Sequence, residues 1–326
     1  MKPKVLVTRE TFPEVIDYLA QHVEVEHNQN DEAYDEAELM RRLQGKAGVF
    51  ANPTHRFAGE LFAACPELKA VCNMAVGYNN IDVPAATAAG VMVTNTPDVL
   101  NETTADFGWT LMMAATRRVS ESEHFLRAGQ WKRWRYDDFL SADVHSSTLG
   151  IIGMGRIGQA IARRSMGFNM KVVYHNRSRL APELEAAANH AQYLGMEELL
   201  RTADHVVLVL PYSPASHHLI GAKQLAMMKP TATLVNIARG GIVDDAALIA
   251  ALRSGTIAAA GIDVFENEPA FNSDFLTLKN VVLTPHIGSA SVPTRRAMAY
   301  LTADNLIAAL SGQRPPNLLN PDTFQP

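Results

Sequence analysis

Two α/β domains with parallel sheets, written one after the other, are the fold class this sequence predicts, and three observations carry it. Short β-rich runs alternate with helical patterns over nearly all 326 residues, as βαβ units require. The runs fall into two groups, one before residue 100 and one after residue 147. At the head of the second group a glycine triplet separates a strand from a helix, which is where an open parallel sheet places its ligand site.

In the first group the expected strands are KVLVT (4–8), VEVEH (23–27), AGVFA (47–51), LKAVCNM (68–74) and VMVTN (91–95). Their β-branched content and apolar runs suit strands covered on both faces. Residues 101–129 then read as one long helix rich in Leu, Met and Ala, with an N-cap at Asn101 and Glu102. It starts the second domain or bridges the two. TLGIIG (148–153), KVVYH (171–175), HVVLVLP (205–211), TLVNI (233–237), AAAGID (258–263) and VVLTPH (281–286) supply the second sheet. A last helix over 291–313 ends at Gly312, with Pro315 and Pro316 beyond. Because it follows the final strand, it can cross back, which predicts a first domain of residues 1–100 plus 291–326 and a second of residues 101–290.

The bulk numbers exclude several functions. With 47% hydrophobic and 19% charged residues the chain has a globular composition. A formal charge of −5 gives no general attraction to nucleic acid or an anionic membrane. The two cysteines, Cys65 and Cys72, fit neither a redox CxxC pair nor a zinc ligand set, so no metal site is expected. No apolar run reaches membrane-spanning length, and the apolar stretch near Met1 is too short for a signal peptide. A cytoplasmic protein is the expectation.

Gly153, Gly155 and Gly158 form a GxGxxG pattern after the strand. The first glycine permits the turn, the second lets pyrophosphate approach, and the third lets helix and strand pack closely. The helix start adds free N–H groups and partial positive charge. An NAD site usually ends its second strand with Asp or Glu on the ribose hydroxyls. Between Gly167 and Pro182 there is no acid; the strand ends instead in Asn176, Arg177, Ser178 and Arg179. Asn176, Arg177 and Ser178 could hydrogen-bond a 2′-phosphate, with Arg177 pairing its charge. A solvated loop is the plain alternative. The expectation is NADP(H) over NAD(H), with NAD(H) still possible.

Three later segments end second-domain strands and carry Arg239, Glu268 and His286. Reducing a 2-keto acid needs a cation on the carboxylate and carbonyl and an acid for the new alkoxide. Arginine offers a planar fork for the first task. Histidine beside a carboxylate that keeps it protonated offers the second.

GMGRIG, LVLPYSPASHHLI, NIARGGIVDDAALIAAL, AGIDVFENEP and TPHIGSA, with residues 74–113 upstream, make the chain resemble the D-2-hydroxyacid dehydrogenases over nearly its full length. Within that family YHNRS, VGYNNID and DVFENEP resemble the NADP-dependent glyoxylate and hydroxypyruvate reductases, including the branch that reduces 2-ketogluconate. The resemblance implies two Rossmann-like or flavodoxin-like domains, a substrate-binding one and a dinucleotide-binding one, with the active site in the interdomain cleft. It implies that Arg239 binds the substrate carboxylate and keto oxygen, that His286 donates the proton, and that Glu268 orients and tunes His286. Backbone N–H groups near Val76 and Gly77 would clasp the carboxylate. Arg156 and Ile157 would meet pyrophosphate, Pro211 would lie on the adenosine side, Ile237 and Asp263 would face the nicotinamide, Thr104 would sit near it, and Gly288 would line the cofactor beside His286. Glu268 argues against formate dehydrogenase chemistry, which pairs histidine with glutamine. The end shortly after the last helix leads to the expectation that the C-terminal extension of many phosphoglycerate dehydrogenases is missing, and His217 stands where relatives often have Thr.

One stretch looks at first like a nucleic-acid surface: Trp131, Trp134 and Tyr136 lie among Arg127, Lys132, Arg133 and Arg135. Asp137 and Asp138 follow at once, and no second basic cluster supports that role. The resemblance implies a homodimer instead, with Trp131 and Trp134 as interface anchors and Arg133 or Arg135 able to attract a polar substrate tail. A nucleotide-sensing corepressor of the same fold is the rival from another class, and no recruiting tail is evident here. The expected partner is a small 2-keto or 2-hydroxy acid.

Overall fold

The computed structural model describes residues 2–324. The chain forms two compact units, Met1–Leu100 with Ser291–Pro326, and Asn101–Ala290.

The first unit holds a five-stranded sheet: β1 (Lys4–Val7), β2 (Glu24–His27), β3 (Gly48–Ala51), β4 (Ala70–Asn73) and β5 (Met92–Thr94), in the order β2-β1-β3-β4-β5. All pairs are parallel, with Val5 opposite Gly48 and Val49 opposite Val71. Alternate side chains go to opposite faces. Val5, Val7, Phe50 and Cys72 pack with Val15 and Leu19 of one helix and with Ala299, Ala303 and Leu306 of the helix Val292–Leu310. Leu6, Val49, Val71 and Val93 pack on the other side with Leu39, Leu43 and Phe57. The last helix therefore belongs to the first sheet's core. Its start is capped by Ser291, whose Oγ accepts the Thr294 N–H. The edge strand β5 is sealed by the chain's final segment. Leu319 N–H donates to Val93 O at 2.8 Å, and Asn320 accepts the Val93 N–H while its Nδ2 donates to Val91 O.

The second unit holds seven parallel strands: β6 (Thr148–Ile152), β7 (Lys171–His175), β8 (Gln192–Tyr193), β9 (His205–Leu208), β10 (Thr233–Asn236), β11 (Ala259–Ile262) and β12 (Val281–Leu283). Their order is β12-β11-β10-β9-β6-β7-β8, so the chain reverses direction across the sheet between β6 and β9. Ligands bind outside the strand ends at such a switch point. Val206 and Leu208 pack with Leu199, Leu248 and Leu252 on one face. Val207, Leu149 and Ile151 pack with Leu111, Met112 and Ile161 on the other.

Two readings of the sequence change here. The strand β8 escaped notice because it is only two residues long and gains its order from pairing with β7. The expected long helix is two, Asn101–Thr116 and Val119–Arg127, because Arg118 takes φ 53° and ends the first. Its guanidinium is bound by Glu121 and by Leu140 O, which holds the break. Asn101 is the first residue of the helix rather than its cap.

Both cysteines are buried and unpaired, and burial pushes the Cys72 thiol up to about 12. Among the described residues no helix is long and apolar enough to cross a membrane.

Candidate active site

The glycine loop lies at the end of β6. Gly153 has φ +102°, and a Cβ on it would stand 2.4 Å from Val209 O. A Cβ on Gly158 would stand 2.4 Å from Gly153 O, so this pair fixes the close packing of turn, strand and helix. Gly155 differs, since a Cβ there would meet nothing within 4 Å. Gly155 also occupies the cap position of the helix Arg156–Arg164 without any side-chain cap. Arg156 and Ile157 open that first turn, at the positive end of the helix. An open approach to backbone donors fits the pyrophosphate of a dinucleotide.

At the end of β7 the three residues expected to meet the ribose take different parts. Asn176 Oδ1 accepts the Met154 N–H at 2.7 Å, so this side chain braces the glycine loop. Arg177 and Ser178 are exposed. Arg179 is committed elsewhere: its Nε and Nη2 donate to Glu185 at 2.8 Å each, and Glu185 also accepts from Tyr174 Oη at 2.7 Å. Arg179, with Tyr174, holds the Glu185 carboxyl down at about 2. The loop 176–178 is thus pinned at both ends, with Arg177 as its outward cation.

The catalytic candidates sit past β10, β11 and β12. Asn236 shapes the first turn: its Oδ1 accepts the Ala238 N–H and its Nδ2 donates to Arg239 O. Arg239 Nη1 donates to Ala238 O at 2.7 Å. Gly240 is obligatory, because a Cβ would fall 1.7 Å from Phe265 O. That contact seats the Arg239 turn against the loop carrying Glu268. Glu268 Oε1 lies 2.6 Å from His286 Nδ1, and Oε2 accepts the Phe265 N–H at 3.2 Å. Burial pushes the Glu268 carboxyl up, but the His286 contact and the Arg239 charge outweigh it and leave it below the ordinary value. Burial lowers the Arg239 guanidinium, and Glu268 partly offsets this. The structure therefore brings Arg239, Glu268 and His286 together, with the His286 ring exposed.

Asp263, expected to face the nicotinamide, braces the loop that carries His286. It is buried, its Oδ1 accepts from Thr284 Oγ1 at 2.7 Å and Ile287 N–H at 2.8 Å, and its Oδ2 accepts from Gly288 N–H at 2.8 Å. Both oxygens shape the His286 loop. Burial raises its carboxyl above the ordinary value, although these donors oppose the shift. Thr104 is buried, and its methyl lies 3.7 Å from the position of a Gly288 Cβ. Ile237 is also buried, in the core beside Gly108. Pro211 is exposed, and its carbonyl accepts from Ser216 Oγ.

In the first unit the loop holding Val76 and Gly77 has a support that sequence reading missed. Asn95 Nδ2 donates to Val76 O at 2.9 Å, and Asn73 Nδ2 donates to Gly77 O at 3.0 Å. Asn73 and Asn80 join amides, and Asn80 Nδ2 donates to His55 O. Asn73 and Asn95 are buried, so these carbonyls are drawn inward. The available signal was positional: asparagine ends β4 and follows β5, at the strand ends where a parallel sheet binds ligands.

A glycine-loop domain with an arginine, a glutamate and a histidine converging past three adjacent strands finds its counterpart among known proteins. Residues 109–288 match the family model for the D-isomer specific 2-hydroxyacid dehydrogenase NAD binding domain. The chain belongs to the D-isomer specific 2-hydroxyacid dehydrogenase family. It is 48% identical to the glyoxylate reductase of Thermococcus gammatolerans over 100% of this chain and 98% of that protein. It is 47% identical to the Thermococcus kodakarensis glyoxylate reductase, with the same coverage. Among solved structures, the NADPH-dependent glyoxylate/hydroxypyruvate reductase of Sinorhizobium meliloti, in complex with NADP and malonate, is 34% identical with a TM-score of 0.89, over 100% of this chain and 99% of that one. As a member of the 2-hydroxyacid dehydrogenase family the chain is an oxidoreductase with a nicotinamide-cofactor domain.

Proposed function

We propose that the chain is a cytoplasmic, NADP(H)-dependent reductase of small 2-keto acids, acting on glyoxylate and hydroxypyruvate, with 2-ketogluconate as a further substrate, and forming D-2-hydroxy acids. The observation that carries the chemistry is the 2.6 Å contact of His286 with Glu268 beside Arg239. The nicotinamide, when bound, supplies the hydride to C2. Arg239 holds the substrate carboxylate and polarises the keto oxygen, and the backbone N–H groups of Val76 and Gly77 take the carboxylate. His286 gives its proton to the oxygen as negative charge develops there. Glu268 fixes the ring through Nδ1, which aims Nε2 at the substrate. In this reading residues 101–290 bind the dinucleotide and residues 1–100 with 291–326 bind the substrate.

The cofactor preference is supported by the absence of an acid after β7 and by the outward cation Arg177. The exposed side chains of Trp131 and Trp134 support a homodimer. Arg135 is tied to Asp137, so Arg133 is the cation of that stretch better suited to meet an anionic tail. Oxidation of NADPH and NADH followed at 340 nm, with each of the three keto acids, tests the whole reading. Turnover with NADPH well above NADH, and with glyoxylate or hydroxypyruvate, is expected. Equal efficiency with both cofactors would sink the cofactor assignment, and no turnover with any keto acid would sink the reaction.

A further inference from the structure

His217 stood out in the sequence as a departure, and the fold gives it company. The loop after β9 carries His217 and His218, and the loop after β11 carries Glu266. One ring nitrogen of each histidine and one carboxylate oxygen of Glu266 lie within 4.8 Å of one another. The two rings stack with centroids 3.9 Å apart at 22°, so one ring must turn out of the stack for both nitrogens to face one ion. We propose that His217, His218 and Glu266 bind a divalent transition-metal ion of the zinc class, at a site separate from the Arg239, Glu268 and His286 group.

The donor set selects the ion. Two imidazoles and one carboxylate suit zinc, cobalt or nickel, whereas calcium and magnesium favour all-oxygen sites. Three protein ligands leave a fourth position for water. Metal-binding histidines commonly have the second ring nitrogen held by a polar group, as Tyr212 holds His217 here. His218 turns Nε2 to Glu266 Oε1 at 2.5 Å and Nδ1 toward Asp244 Oδ2 at 4.0 Å. Tyr212 Oη lies 3.2 Å from His217 Nδ1. Glu266 is steadied from behind, as its backbone N–H donates to Asp245 Oδ2 at 3.1 Å. Ligand atoms about 2 Å from a tetrahedral ion stand roughly 3.3 Å apart. To reach that spacing the 2.5 Å histidine–glutamate contact must open and any pair near the 4.8 Å limit must close. The ion would join the loop after β9 to the loop that two residues later carries Glu268, tightening both.

The sequence could not announce this site because two ligands are adjacent and the third comes 48 positions after His218, with no fixed spacing such as CxxC. Tag-free, chelator-treated full-length protein titrated with Co²⁺, read by its visible absorption, and with Zn²⁺, read by calorimetry, tests it. One ion per chain is expected, with a rise in Tm. His217→Thr and Glu266→Gln should each weaken binding by about tenfold or more, and Tyr212→Phe by a smaller factor. His190→Ala, an exposed histidine site elsewhere, should leave it unchanged. Circular dichroism confirms that each variant is folded, and His190→Ala serves as the reference variant. Zinc bound by His217→Thr as tightly as by the original chain, or bound by neither, overturns the proposal.

Discussion

His286 sits at φ 55° between two anchors, its own ring contact with Glu268 and the Asp263 carboxylate beneath its loop. Removing the acid should hurt the reaction far more than binding. His286→Ala is expected to lower kcat by about a hundredfold to ten-thousandfold, with NADPH affinity, measured by fluorescence titration, largely kept. Glu268→Gln keeps an acceptor but loses the charge, so it should fall between the two proteins. Arg177 offers a second residue-scale test. A charge-assisted hydrogen bond contributes roughly 1.5 to 3 kcal/mol, so Arg177→Ala should raise KM for NADPH by about tenfold to a hundredfold and leave KM for NADH nearly unchanged. Steady-state kinetics with both cofactors reads this directly. The Arg239, Glu268 and His286 group was legible as residue types because the proposed chemistry is specific. The partners were not: nothing in the spacing of Asp263 or Asn176 says that their oxygens are taken by backbone N–H groups.

Elements were legible where periodicity reports burial. The strands of both sheets stood out as apolar runs, since a parallel strand covered on both faces has few polar residues. Local chemistry that depends on a distant partner was hidden. Arg118 breaks a run of good helix residues because Leu140 O and Glu121 receive it, and β8 exists only by its neighbour. The asparagine support of loop 76–77 is of the same kind. Asn95→Ala removes the donor to Val76 O, and the freed loop should raise KM for the keto acid by about fivefold to tenfold, a loss of roughly 1 to 1.5 kcal/mol, with kcat changed little. A serine that can still donate should restore part of it, whereas an effect on kcat alone would argue against a carboxylate-binding role for the loop. The Arg179–Glu185–Tyr174 group gives a pH prediction. Glu185 lies near 4.5 as a free carboxyl and near 2 in the folded chain. Folding is therefore strengthened by it above about 4.5, and that gain is lost as pH falls toward 2. Tm of Glu185→Gln should lie below that of the original chain at pH 7, with the gap closing as the buffer is taken from pH 4.5 to 2.

At the scale of the molecule, the two sheets and their order could be expected from alternation and from the glycine turn, and the family resemblance extends over both. The seal on β5 could not, because Asn320 and Leu319 sit in a segment with no strand pattern. Asn320 is buried and bonds Val93, Val91 and Thr87 at once. Asn320→Ala leaves the buried Val93 N–H unpaired and should cost about 1 to 3 kcal/mol, measured by urea unfolding. It should also promote association, because an open sheet edge recruits other strands.

The helix Val292–Leu310 fills the core of a sheet whose strands all precede residue 100. During synthesis the first unit must therefore wait with its apolar strands unfinished while nearly two hundred residues are made, whereas the second unit is one unbroken stretch and can close on itself first. The order in which the ribosome writes this chain is the reverse of the order in which its parts can be completed.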